Sequence, residues 1–298
     1  MPQFSSRKRT RCYLCRQRVP TKVFTKYGYD ILKCKSCQLL TLKFQQDYRS
    51  FISEYYDERF FTGSQDRIGY SNYEGDQLTE AINMKRYLTR ISRFKSTGKL
   101  LDVGCATGIF LEFAQAKGFD PFGFDVSTYA VTKARHRLKH RIKQAVLSDV
   151  TYKPNSFDVI TMFDVVEHLK DPRRDLKRLR TFLKDDGVLV INTGDAGSLL
   201  AKLMGKNWHF YVPPQHLFFF SQKTLTQLLH RAGYKVIKIE YKGKWLSLRY
   251  FLNLVKQIHH SKIANLLHQA VADNIIGKLP LYFNFFDNIL IYAQKDPN

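Results

Sequence analysis

The chain has 298 residues, 44% apolar and 25% charged, ordinary proportions for a folded protein that exclude wholesale disorder. No run approaches the roughly 18 uninterrupted apolar residues that a bilayer span needs, so none is expected. Lys and Arg number 48 against 26 acidic residues, a formal charge of +22. That imbalance points to phosphate-bearing polymers, anionic lipid or acidic small molecules as partners.

Met1 to Thr10 are basic but lead into no apolar core of a secretion signal. Four of the five cysteines then come as two close pairs, Cys12 with Cys15 and Cys34 with Cys37. Such pairing suits a reducing compartment, and the expected location is cytoplasmic. Two residues between ligands let a tight turn aim both sulfurs at one ion, and two such turns complete a tetrahedron. Residues 1–45 therefore read as a zinc ribbon with Cys12, Cys15, Cys34 and Cys37 as ligands. With all four positions filled by protein, the Zn2+ is structural, and a ribbon this small depends on it to fold.

Residues 46–97 read as a helical linker or lid segment, rich in tyrosine and then helical, with Leu78, Ala81, Ile82, Leu88 and Ile91 near a 3.6-residue period. From residue 98 short apolar strands alternate with amphipathic helices. Leu100–Val103 reads as a buried strand, followed by the turn Gly104-Cys105-Ala106-Thr107-Gly108 and a helix carrying Ile109, Phe110, Phe113 and Ala114. A second strand ends at Asp125, and Ser127 caps the next helix. Phe157–Phe163 is a third apolar run. Asp171-Pro172 starts a helix with Leu176, Leu179 and Leu183 on its buried stripe, and Val188–Asn192 follows as a strand. This alternation implies an α/β doubly wound domain over 98–298. Residues 244–281, before the last strand, read as a helical insertion in which Leu248, Phe251, Leu252, Val255 and Ile258 share one face. Ile263, Leu266, Leu267 and Ala270 share another.

The glycine turn is not the G-x-G-x-x-G of a dinucleotide site, nor does it end in the Lys-Ser/Thr of a P-loop. Asp125 closes the second strand about twenty residues after the turn, where a carboxylate can accept both ribose hydroxyls of a nucleoside. Asp149 and Phe163-Asp164-Val165-Val166-Glu167-His168 also fall at strand ends, where open α/β sheets bind ligands.

The blocks LLDVGCATG, GFDVS, SFDVITMFDVVEHLKDP, LKDDGVLVINT, PPQHLFFFS and DNILIYAQK together resemble the class I S-adenosylmethionine-dependent methyltransferases. The resemblance is greatest to the subgroup of quinone and sugar methyltransferases, some of which carry a zinc ribbon. It implies a seven-stranded Rossmann-like sheet and S-adenosylmethionine as cofactor. By it, Gly104 and Gly108 lie against the methionine part and Asp102 holds the amino group. Asp125 holds the ribose, Asp149 and the Val150 amide face adenine, and Phe163 lines the methyl-donor side. Ala106 stands where the family carries its middle glycine.

For an acceptor hydroxyl or acidic carbon a base of near-neutral pKa helps. His216, in the tract Val212-Pro213-Pro214-Gln215-His216, is the first candidate, and His168 the second. The expected reaction is in-line methyl transfer to a small-molecule, sugar or glycan, or lipid-linked acceptor. Basic clusters at Arg7-Lys8-Arg9, Lys133–Lys143 and Arg173–Arg180 keep an RNA methyltransferase open as an alternative. A non-catalytic cofactor-binding module is a third class. Trp245 and the lysines around the insertion suit contact with an anionic membrane surface, which would place the protein at the inner face of the membrane.

Overall fold

The computed structural model describes residues 11–62, 76–259, 262–271 and 274–297, with backbone alone at 257–259 and 262–265. The Arg7-Lys8-Arg9 cluster and the side chains of Ile258 and Ile263 lie outside the described residues.

The N-terminal part folds as strands β1 (Thr21–Lys26), β2 (Tyr29–Lys33) and β3 (Leu40–Leu42), each antiparallel to the next. Two short helices follow, α1 (Tyr48–Tyr55), capped by the Asp47 carboxylate on the Ser50 amide, and α2 (Glu58–Thr62). The next helix, α3 (Gln77–Ile91), lies where the apolar period places one, but its buried face differs from the expected set. Leu78 is exposed, whereas Thr79, Asn83, Tyr87, Leu88 and Ile91 are buried. Asn83 explains the rotation: its side chain bonds both the carbonyl and the amide of Trp245, as a neighbouring strand would.

The alternating part runs β4 (Gly98–Val103), α4 (Ile109–Ala116), β5 (Phe119–Asp125), α5 (Thr128–Leu138), β6 (Ile142–Gln144), β7 (Phe157–Phe163), α6 (Pro172–Phe182) and β8 (Leu183–Gly194). The caps follow the sequence. Ser127 accepts from the Ala130 amide, Asp171 from the Arg174 amide with Pro172 at the first position, and Gly118 is left-handed just past α4. The chain continues through α7 (Leu199–Met204), β9 (Phe218–Phe219), α8 (Gln222–Arg231) and β10 (Tyr234–Tyr241). It ends with β11 (Lys244–Ser247), α9 (Leu248–His259), α10 (Lys262–Val271), β12 (Pro280–Phe283) and β13 (Asn288–Lys295).

Seven strands form one sheet in the order β10-β13-β8-β7-β4-β5-β6. Those from β8 to β6 pair in parallel, and β13 runs antiparallel to both β8 and β10. Burial on both faces accounts for the nearly unbroken apolar runs of β7 and β8. The insertion departs from a purely helical reading, because β11 and β12 pair antiparallel at the two ends of the segment that carries α9 and α10. The cysteine-bearing part is not a separate bead. Leu40 and Thr41 of β3 pair with Phe219 and Phe218 of β9, so the small sheet is completed by the tract that carries His216.

Candidate functional site

The carboxyl ends of β4, β5 and β7 open into a cavity of about 920 Å³. Its floor is the turn after β4. Gly104 and Cys105 both donate their amides to the Phe124 carbonyl, which locks the turn to the end of β5. Gly104 is left-handed at φ 70°, and an added Cβ would stand 2.5 Å from Val165 Cγ2, so both conformation and space require glycine. Ala106 is also left-handed, at φ 45°, and its amide donates to Asp125 Oδ2 at 2.9 Å. Asp125 Oδ1 accepts from the Ser127 amide at the same distance. One carboxylate thus fastens the turn to the start of α5 while keeping lone pairs for a ligand.

Asp102 is 3% exposed and lines the same floor, with Thr161 Oγ1 donating to it at 2.6 Å. Burial, with Asp125 and Glu80 nearby, raises its carboxyl to about 7 against the pull of the Thr161 hydrogen bond. Phe163 stacks on Tyr87 at 4.7 Å and meets the edge of Phe110 at 4.9 Å, forming a rigid wall. The opposite wall holds both histidines. His168 Nδ1 lies 3.0 Å from the Gln215 carbonyl and 3.0 Å from the Tyr56 hydroxyl, and His216 Nδ1 lies 2.7 Å from the Phe210 carbonyl. A carbonyl only accepts, so each Nδ1 carries the proton and each Nε2 keeps a lone pair. Burial lowers the pKa of both rings, that of His216 furthest, so both are neutral imidazoles at pH 7.

The structure brings Asp102, Gly104, Asp125, Phe163, His168 and His216 into one cavity. Three other expected residues stand outside its lining. Gly108 is left-handed and abuts Ala134 and Leu138, which is helix packing. The Asp149 carboxylate turns outward to Arg49, at 3.0 and 3.1 Å, and the Val150 carbonyl accepts from Arg178. Val146, Leu147 and Ser148 line that edge instead.

Several lining residues were not expected from the sequence. Tyr48, Tyr56 and Phe60 form a wall from the segment expected to be a helical linker or lid, although none of the three was singled out for the site. Lys244 comes from the insertion and bonds Asp164 Oδ2 at 2.7 Å, while Asn192 holds the other Asp164 oxygen. Lys26 and Tyr27 reach the cavity from the tip of the β1–β2 hairpin, and Lys26 Nζ donates to the Trp208 carbonyl at 3.2 Å. The tyrosine density of 48–60 was the available signal for the first group. A lone lysine in an insertion carries none.

Away from the cavity, Cys12 Sγ and Cys37 Sγ are 3.6 Å apart, as are Cys15 Sγ and Cys34 Sγ, and none is in a disulfide. All four sulfurs lie within 4.8 Å of one another. Sulfurs at the corners of a tetrahedron with Zn–S bonds of ~2.3 Å stand about 3.8 Å apart, so this donor set fits Zn2+.

Comparison with known proteins agrees with this geometry. The methyltransferase domain family matches residues 78–239, more than half of the chain. The mitochondrial ubiquinone biosynthesis O-methyltransferase of Schizosaccharomyces pombe is 31% identical over 145 residues, 44% of this chain and 52% of that protein. The ubiquinone biosynthesis O-methyltransferase of Histophilus somni is 23% identical over 202 residues, 60% of this chain and 84% of that one. The chain spans about half the length of the first of these curated relatives. Among solved structures, magnesium protoporphyrin IX methyltransferase from Synechocystis PCC 6803, with bound SAH, superposes with a TM-score of 0.53. It is 12% identical, with 83% of this chain and all of that one covered. The [4+2]-cyclase SpnF gives 0.52 at 20% identity, covering 85% and 98%. These two likenesses concern the fold.

A seven-stranded sheet with one reversed strand, and an acid-lined cavity at its carboxyl ends, define a class I S-adenosylmethionine-dependent methyltransferase. The chain belongs to the methyltransferase domain family.

Proposed function

We propose that this protein transfers the methyl group of S-adenosylmethionine to a hydroxyl of a small-molecule, sugar or glycan, or lipid-linked acceptor. The supporting observation is a single cavity that joins the acids at the strand ends to two neutral imidazoles on the opposite wall. The ubiquinone O-methyltransferase relatives favour oxygen as the acceptor atom.

In this reading Asp125 holds the ribose, Asp102 faces the ammonium group, the Gly104 turn lies against the methionine part, and Val146–Ser148 border the adenine. The cofactor supplies a methyl group on an already activated sulfonium. The protein therefore has two tasks, to align the acceptor and to provide for its proton. Alignment supplies several kcal/mol, within the ~7–11 kcal/mol available to ideal placement. His216 Nε2 is the first candidate to take the proton and His168 Nε2 the second. A strongly lowered pKa makes His216 a free but weak base, effective only on a hydroxyl that is already acidified. The four cysteines hold a structural Zn2+ that fixes β3 against β9, next to His216.

A membrane-associated acceptor has one specific observation behind it. Leu199 and Leu203, one turn apart on α7, are 73% and 76% exposed, and Lys202 and Lys206 flank them. That pattern suits an anionic lipid surface.

The test is labelled-methyl transfer to a cell extract fractionated into RNA, lipid, glycan and small metabolites. Label in the lipid, glycan or metabolite fraction is expected. Label in RNA overturns the acceptor assignment in favour of the RNA reading. Calorimetric silence toward both S-adenosylmethionine and S-adenosylhomocysteine overturns the cofactor assignment. His216→Ala is expected to cut turnover at least tenfold with unchanged S-adenosylhomocysteine affinity.

A further inference from the structure

We propose that Glu167, His168 and His216 form a binding site for a divalent first-row transition-metal ion, distinct from the four-cysteine site. One ligand atom from each of the three side chains lies within 4.8 Å of those of the other two, and all three residues line the cavity. With bonds of ~2.1 Å to imidazole nitrogen and carboxylate oxygen, one ion reaches all three after small side-chain rotations.

Two independent features point to a ligand here. Glu167 is 2% exposed, and neither carboxylate oxygen has a hydrogen-bond partner, in a fold that pairs most of its other buried acids. A buried carboxylate left open in this way is costly unless something else satisfies it. The imidazoles, for their part, are already set as ligands. Each Nδ1–H is tied to a backbone carbonyl, of Gln215 or Phe210, and this arrangement fixes the ring and leaves Nε2 free to ligate. Lys244, which lines the same cavity, is paired with Asp164 at 2.7 Å.

Two imidazoles and one carboxylate leave coordination positions open, and these positions face the cavity. The ion would bind an acceptor oxygen there and lower the pKa of its hydroxyl, releasing that proton to solvent. This role rests on the acceptor-side reading above and makes His216 a ligand, rather than the base, in the loaded protein. The ion site itself does not depend on methyl transfer.

The test uses the full chain with its cysteine site loaded with zinc. Mn2+ is titrated and followed by the loss of the free-ion electron paramagnetic resonance signal, and Co2+ by its visible spectrum. One equivalent of Mn2+ per chain is expected beyond the zinc, and Co2+ is expected to bind without the thiolate-to-cobalt charge-transfer band of a cysteine site. Glu167→Gln and His216→Ala are each expected to weaken Mn2+ binding at least tenfold. Glu167→Gln keeps the shape of the buried side chain without any charge, so its ion-free melting temperature should equal or exceed that of the parent, which shows that the variant folds. No uptake beyond the zinc, or uptake unchanged in both variants, overturns the site. Retained Mn2+ binding in a protein that ignores S-adenosylhomocysteine would overturn the methyl-transfer reading alone.

Discussion

At the residue scale, Asp102 sets a pH dependence. Burial holds its carboxyl protonated up to about pH 7, and only the ionised form pairs with an ammonium group. Affinity for S-adenosylhomocysteine should therefore rise with pH between 6 and 8, by at most ~tenfold per unit below 7. Calorimetry across that range checks it, and Asp102→Asn should bind more weakly with a flat profile. Gly104 sets a second expectation. An alanine there combines left-handed backbone with a Cβ 2.5 Å from Val165. Gly104→Ala should cost about 1–3 kcal/mol in urea denaturation, and Val165→Ala should recover the steric part but not the backbone part. Neither residue acts alone, since Thr161 orients Asp102 and Phe124 anchors the turn that holds Gly104.

Among the elements, β3 links the four-cysteine part to the tract that carries His216. Its two-residue pairing with β9 is short, so β9 depends on the ribbon being folded. Ribbons of this size lack the core to fold without their ion. Cys37→Ser should abolish the zinc equivalent measured by atomic absorption and speed proteolysis within 21–42. It should also lower methyl transfer more than S-adenosylhomocysteine affinity, because the β4 turn lies on the other sheet. Equal loss of both would mean that the ribbon supports the whole domain rather than the acceptor wall. The insertion makes a comparable connection. Asn83 of α3 accepts from the Trp245 N–H and donates to the Trp245 carbonyl, and at the neighbouring position Lys244 pairs with Asp164.

For the molecule as a whole, the +22 charge and the exposed Leu199 and Leu203 predict vesicle binding. Co-sedimentation with anionic vesicles should be strong at low salt and fall as salt screens the lysines, while neutral vesicles should capture little. Leu199→Asp together with Leu203→Asp should weaken the anionic interaction further. Unchanged binding in that double variant would leave charge alone as its cause. No helix among the described residues is long and apolar enough to cross a membrane.

Much of this was legible before any coordinates. The alternation of strands and capped helices from residue 98, the acids at strand ends and the two cysteine pairs are local patterns, and Asp102, Asp125 and the four cysteines stand together as their spacing implied. Local pattern failed where a side chain's direction depends on a distant partner. Asp149 follows its strand as expected but is drawn outward by Arg49, a hundred residues away. Tyr56 and Lys244 line the cavity from segments far from the β4 turn in the chain.

The amino-acid order by itself determined the sheet, its caps and the zinc-type cysteine spacing, because these depend on periodicity and on neighbours a few positions apart. The tertiary structure alone decided that β9 completes the cysteine-bearing sheet and that Glu167, unpaired, stands beside two histidines from separate loops. Those relations come from packing between segments far apart in the chain, where burial and charge are set by contacts that no local pattern encodes.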